Sequence, residues 1–116
     1  MKATWSKKVD EIMAVGRSLE DVGIHNWALT REQAMGVLEQ FESEGIGVLG
    51  GDVYELQCGV LQSNYGNWWC QKSVGESRED FVIRSIEKAR SYIGEYRMDS
   101  NVPFLFAIVP MPLANF

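Results

Sequence analysis

Pro103-Phe104-Leu105-Phe106-Ala107-Ile108-Val109-Pro110 is an unbroken apolar run held between two prolines. A run this short with no polar face predicts a β-strand covered on both sides, and such a strand is expected to sit centrally in its sheet. Just upstream, Ser77 with Asp80 three residues later opens a stripe of Val82, Ile86, Ala89, Ile93 and Tyr96. Spacings of three and four place that stripe on one face of a helix, which is expected to end near Met98.

Further toward the N-terminus, Ile46–Leu49 and Val53–Leu56 read as two short strands separated by Gly50-Gly51-Asp52. The glycines predict a tight hairpin turn with Gly50 or Gly51 at positive φ. A third strand is expected around Gly59–Gln62, followed by another at Trp68–Gln71. Before them, Thr30 and Gln33 have capping-box spacing, and Ala34, Val37, Leu38 and Phe41 form the stripe of a helix running to about Ser43. Gly45 is placed for a left-handed cap. Val9, Ile12, Met13, Gly16, Leu19 and Val22 predict a first helix over Ser6–Asp21, closed by Gly23. The expected fold is α+β: three helices packed on a small antiparallel or mixed sheet, in a single domain spanning residues 1–116.

Composition is that of an ordinary globular chain, 46% hydrophobic and 23% charged over 116 residues, well away from the disordered regime. The N-terminal Met1-Lys2-Ala3-Thr4-Trp5-Ser6-Lys7-Lys8 lacks the apolar stretch of a secretory signal, so a cytoplasmic setting is expected. No run is long enough for a membrane helix. In a reducing compartment Cys58 and Cys70 are expected as free thiols, small apolar residues in strands.

Catalytic chemistry is hard to assemble from this chain. Its one histidine, His25, has no identifiable partner and reads as a loop residue; two cysteines eleven residues apart meet no metal spacing. Gly47, Gly50 and Gly51 lack both the Lys-Ser/Thr ending of a phosphate loop and the following helix of a dinucleotide site. Gly-Gly-Asp continues with Val53 and Tyr54, unlike the signature of cyclic-dinucleotide synthases. No catalytic residue, metal or cofactor is therefore expected.

Charge distribution is more informative. Between Arg31 and Lys72 there is no basic residue, while Glu32, Glu39, Glu42, Glu44, Asp52 and Glu55 add six negative charges, more than the whole-chain net of −5. Such a segment either serves solubility or complements a basic partner, and it disfavours direct nucleic-acid binding. Trp68-Trp69 adds a second signal, because adjacent residues on a strand face opposite ways and one of the pair is exposed unless both faces are covered. The expected partner surface comprises Glu39, Glu42, Glu44, Asp52, Tyr54, Glu55, Trp68 and Trp69, with an aromatic anchor among Tyr54, Trp68 and Trp69.

The segment Gly45-Ile46-Gly47-Val48-Leu49-Gly50-Gly51-Asp52-Val53-Tyr54, the downstream Asn67-Trp68-Trp69, and the helix bearing Ser85, Ala89 and Tyr92 resemble the immunity protein 40 family, over about Trp27 to Val109. The resemblance implies a cytoplasmic antidote of a bacterial contact-dependent or polymorphic-toxin system. Such an antidote binds the C-terminal toxin domain of a cognate effector, here expected 1:1, and has no catalytic residues. Many such toxins are nucleases with basic clefts. Two other readings compete: a small ligand-binding domain or enzyme using Asp52, Tyr54 and Glu55, and a subunit that self-associates through a sheet edge. Asp52 and Tyr54 share a strand face and Glu55 takes the other, which weighs against the enzyme.

Overall fold

The computed structural model describes residues 5–98 and 101–112. Within them run α1 (Lys7–Met13), β1 (Arg17–Ser18), a 3-10 turn (Glu20–Val22), β2 (Trp27–Ala28), α2 (Arg31–Glu44), β3 (Val48–Gln57), β4 (Val60–Trp69), α3 (Arg78–Glu95) and β5 (Phe104–Pro110). The fold is α+β. The strands form two antiparallel sheets, a β1–β2 ribbon and a larger sheet of order β4-β3-β5.

The helices follow their local signals. Thr30 Oγ1 accepts from the Gln33 amide at 3.1 Å and Gln33 Oε1 from the Thr30 amide at 3.0 Å, completing the capping box of α2. Gly45 closes that helix at φ 72°. Ser77 caps α3 by accepting from the Asp80 amide. At the opposite end of α3, Arg31 donates to the carbonyls of Ile93, Gly94 and Tyr96, with its guanidinium 5.4 Å from the Phe104 ring. A cation is favoured against those unsatisfied carbonyls, and this one ties the start of α2 to the end of α3 and the start of β5.

Three expectations are corrected. The first helix ends at Met13, not Asp21. A Cβ on Gly16 would lie 2.5 Å from Leu29 Cδ2 and 2.7 Å from the Ala28 carbonyl oxygen. The chain turns there into the β1–β2 ribbon, and Leu19 is buried outside any helix in a separate cluster. Its helical spacing from Ile12 is coincidental.

Gly50-Gly51-Asp52 is not a turn, although Gly50 does take a positive φ of 156°: it lies inside β3, and the expected short strands fall largely within two ten-residue strands. The hairpin turns instead at Cys58-Gly59, with φ 52° and 78°. Positive φ at both central residues is the type I′ requirement that matches strand twist. Cys58 is thus exposed in a turn and outside any strand, while Cys70 is buried just past β4; both are free. Gly51 is small for a packing reason, since a Cβ there would sit 2.6 Å from Trp68 Cζ3 and 2.5 Å from the Ala107 oxygen.

Third, β5 is not central. Within its sheet it pairs with β3 alone, and its outer edge is held by Leu29 and Phe106, which exchange two 2.7 Å backbone hydrogen bonds, and by Asn26 Nδ2, which donates to the Ile108 carbonyl at 2.9 Å. An apolar run reports that both faces of a strand are covered and says nothing about its ladder neighbours. Val53, Trp68, Phe106 and Ile108 face the helices with Phe41, Phe81, Ile86 and Ile93, whereas Tyr54, Leu61 and Ala107 face the other way, under Leu19 and Ala28.

His25, a loop residue as expected, has partners that spacing did not reveal. Its ring lies between Trp5 and Trp27, at centroid distances of 5.6 and 5.3 Å, with Nδ1 3.1 Å from Glu20 Oε2 and Nε2 3.4 Å from Asp10 Oδ1. The Glu20 hydrogen bond foremost, and then Asp10, raise its pKa above the ordinary value despite partial desolvation. A raised folded-state pKa contributes stability below the unfolded value of about 6.5, which is lost as pH rises through the folded midpoint. Histidine NMR titration is expected to give a midpoint above about 6.5, moved down by Glu20→Gln, and the stability gap between wild type and His25→Asn should shrink as pH rises from about 6.5 through that midpoint.

A second pair of variants separates packing from backbone freedom. Gly51→Ala is expected to cost about 1–3 kcal/mol in a denaturant melt, the range for overpacking a tight site. Gly36→Ala is expected to stabilise by about 0.5–1 kcal/mol, the gain from removing an interior helical glycine, because Gly36 is an exposed α2 residue with nothing within 4 Å of its would-be Cβ. Loss of stability in both would refute the packing assignment.

Candidate partner-binding surface

Strand alternation divides the sequence-predicted residues between two layers. Gly51 pairs with Trp68 and Ile108 on the helix-facing side, and Asp52 pairs with Asn67 and Ala107 on the other. Trp68 is 6% exposed and stacks on Tyr92 of α3 with centroids 4.7 Å apart. Trp69 is 70% exposed on the opposite face, beside its cross-strand partner Gly50. Tyr54 shares that opposite face but is buried beneath the β1–β2 ribbon. Of the three aromatic candidates, Trp69 alone presents its ring to solvent.

The ribbon covers only part of its side of the sheet. Leu19 and Ala28 pack on Tyr54, Leu61 and Ala107, leaving open a shallow recess of about 350 Å³ lined by Leu49, Gly50, Asp52, Asn67, Trp69 and Val109. Asp52 has no cation within ion-pair distance among the described residues. Desolvation pushes its carboxyl above the ordinary range and, together with the Asp52 charge, raises the Tyr54 phenol. Glu55 lies toward the far end of β3 on the helix-facing side, where its Oε1 accepts from Gln57 at 2.7 Å. Asp52 and Tyr54 thus share a face without Glu55, and Tyr54 is closed to a ligand.

Glu39, Glu42 and Glu44 are exposed along α2, in the layer opposite Trp69. Glu42 is engaged by Arg90 at 2.9 Å. Spacing along the sequence did not reveal that Glu42 and Glu44 meet Arg78, Glu79 and the exposed Ile83 of α3 around a second recess of about 370 Å³, whose lining is acidic but includes one arginine. Glu79 and Ile83 are distant in sequence from the acidic segment, and only the packing of α2 on α3 joins them. Both recesses lie at the end of the molecule where β3 starts and β4 and β5 finish. Arg84 shapes that end by binding Glu76 through two 2.8 Å contacts and donating to the Gln71 carbonyl, so that the link from β4 to α3 is clamped.

The β4 edge is interrupted. Asp52 pairs with Asn67 but Tyr54 with Ser63, so β4 carries a two-residue bulge in which Tyr65 takes φ 67°. Ser63 Oγ and Asn64 Oδ1 accept from the amides of Tyr65 and Gly66. Donors a neighbouring strand would use are thereby satisfied within the chain. Among the described residues no cluster of three or more His, Cys, Asp and Glu is placed to hold a metal, and no helix is long and apolar enough to cross a membrane.

No curated protein and no solved structure matches the chain. The family model for immunity protein 40 matches residues 18–110, which takes in all of the ribbon but Arg17, the whole β4-β3-β5 sheet with its open recess, and helices α2 and α3. The chain therefore belongs to the immunity protein 40 family.

Proposed function

We propose that this protein is a cytoplasmic antidote that binds the C-terminal toxin domain of a cognate contact-dependent or polymorphic effector in a 1:1 complex and blocks it without catalysis. The observation that carries the site is Trp69, 70% exposed on the half of the sheet that the β1–β2 ribbon leaves open. A ring of that size, fixed on a strand and exposed beside a carboxylate, has the character of an interface anchor. Glu39, Glu42 and Glu44 extend an acidic surface along the opposite layer toward the same end of the fold. Their charge suits a basic toxin, such as a nuclease whose substrate cleft must attract phosphate.

Energetics divide the roles. Nanomolar inhibition takes about 12 kcal/mol, whereas an exposed ion pair contributes about 0.2–1 kcal/mol. The carboxylates consequently govern encounter and orientation, and the aromatic anchor governs lifetime.

The test is rescue of cells expressing the toxin domain of the effector encoded beside this gene. The wild-type protein should protect and form a 1:1 complex by light scattering, and a folded, expressed protein that fails to protect would remove the basis for this reading. Within the complex, Trp69→Ala is expected to weaken binding by about 2 kcal/mol or more, roughly thirtyfold, through faster dissociation. Reversing Glu39 and Glu44 to lysine should instead slow association and flatten its salt dependence. If Trp69→Ala leaves the dissociation rate unchanged, the anchor lies elsewhere.

A further inference from the structure

We infer that the recess between Asp52 and Trp69 is a seat for one arginine side chain of a protein partner, its guanidinium bonded to the Asp52 carboxylate and stacked on the Trp69 indole. The inference deepens the proposed function, because it takes the open sheet face as the docking surface and names the group that enters it.

The geometry follows from the register. Asp52 and Asn67 are cross-strand partners on one face, which puts their Cβ atoms about 4.5–5.5 Å apart. Trp69, two residues beyond Asn67, projects from the same face about 7 Å further along the strand. Together with Leu49, Gly50 and Val109 they line a recess whose single charge is the Asp52 carboxylate. That carboxylate is partly desolvated and has no cation within ion-pair distance among the described residues, whereas Glu76 holds Arg84, and Glu42 and Glu87 share Arg90. An isolated carboxylate in a partly apolar recess is electrostatically incomplete, and an arriving cation repairs it without displacing an existing partner.

Arginine suits the site better than lysine. Its planar fork can bond a carboxylate through two N–H groups while its face lies on an aromatic ring, whereas an ammonium is a strongly hydrated point charge. Asn67 adds a neutral acceptor at the rim. Gly50, opposite Trp69, leaves the strand surface beneath the indole low, so that one side of the recess is open to a long side chain.

The experiment titrates the intact protein with N-acetyl-arginine amide, N-acetyl-lysine amide and the uncharged isostere N-acetyl-citrulline amide, following indole N–H cross-peaks by NMR. Trp69→Phe assigns its resonance among the four tryptophans. The expected result is saturable movement of the Trp69 peak, with arginine binding at least about threefold tighter than lysine and citrulline weakest. Asp52→Asn should abolish the preference of arginine over citrulline while chemical-shift dispersion shows the fold intact, and Glu55→Gln, on the other face, should leave it unchanged. Equal movement with citrulline, equal affinity for lysine, retention of the preference in Asp52→Asn, or no movement of Trp69 would each overturn the arginine seat. Toxin rescue with the seat overturned would leave the antidote reading standing, and a functional seat in a protein that fails to rescue would separate the two in the other direction.

Discussion

Contact between the Trp68 indole and the bare backbone of Gly51 is the constraint on which the sheet and its surface both depend. Trp68 fills the space between β3 and α3, stacked on Tyr92, and reaches it only because no Cβ stands at Gly51. Once Trp68 is committed to the helix-facing side, strand alternation sends Trp69 to the opposite side, beyond the reach of the ribbon. A one-residue slip of β4 would turn Trp69 to the helix-facing side and expose Trp68. Core packing thus sets the register, and the register places the exposed ring.

The N-terminal third decides how much of that surface stays open. Had the first helix continued past Met13, its apolar residues would have had to find a single face to cover. Instead the chain turns at Gly16, and the short ribbon it forms with β2 covers Tyr54, Leu61 and Ala107 but stops short of Gly50, Asp52 and Trp69. His25 fastens the arrangement by joining Asp10 of α1 to Glu20 of the turn between two indoles. The uncovered half of the sheet is therefore a consequence of where the ribbon ends. In the proposed complex, a ring whose backbone is already held in a strand would give up little backbone freedom on docking, which would favour a long lifetime.

Features written in local sequence were legible: the caps of α2 and α3, the Gly45 cap, and the strand character of Phe104–Val109. Those set by distant contacts were not. Gly50 and Gly51 carry the composition of a turn, but the reason for Gly51 lies seventeen residues downstream in Trp68. The real turn, Cys58-Gly59, begins with a cysteine at positive φ, a residue with no special preference for that conformation. Alternation said that Trp68 and Trp69 part company, and deciding which one is exposed required the register. The acidic segment was visible as a block, yet the fold distributes it over two layers, with Glu55 toward one end of β3 and the α2 carboxylates beside Glu79.

The same alternation separates what holds the protein together from the surface of the proposed interface. Along β3 and β4, Gly51, Val53 and Trp68 face the core while Asp52, Asn67 and Trp69 face outward, so each exposed side chain is next to a structural one without sharing its contacts. Substituting an outward residue changes the recess and leaves the helix-facing packing intact, because distant or opposed side chains contribute nearly additively to stability. An inhibitor that must discriminate one partner from its variants gains from that separation, since specificity rests on a few groups whose replacement does not unfold the scaffold. The arrangement also explains why the recess is poor in charge. A single partly desolvated carboxylate beside one indole penalises a partner that brings an acidic or uncharged group in place of a cation, whereas the diffuse acidity of α2 attracts any basic surface. In the proposed complex, selectivity would fall to the sheet face and rapid encounter to the helices.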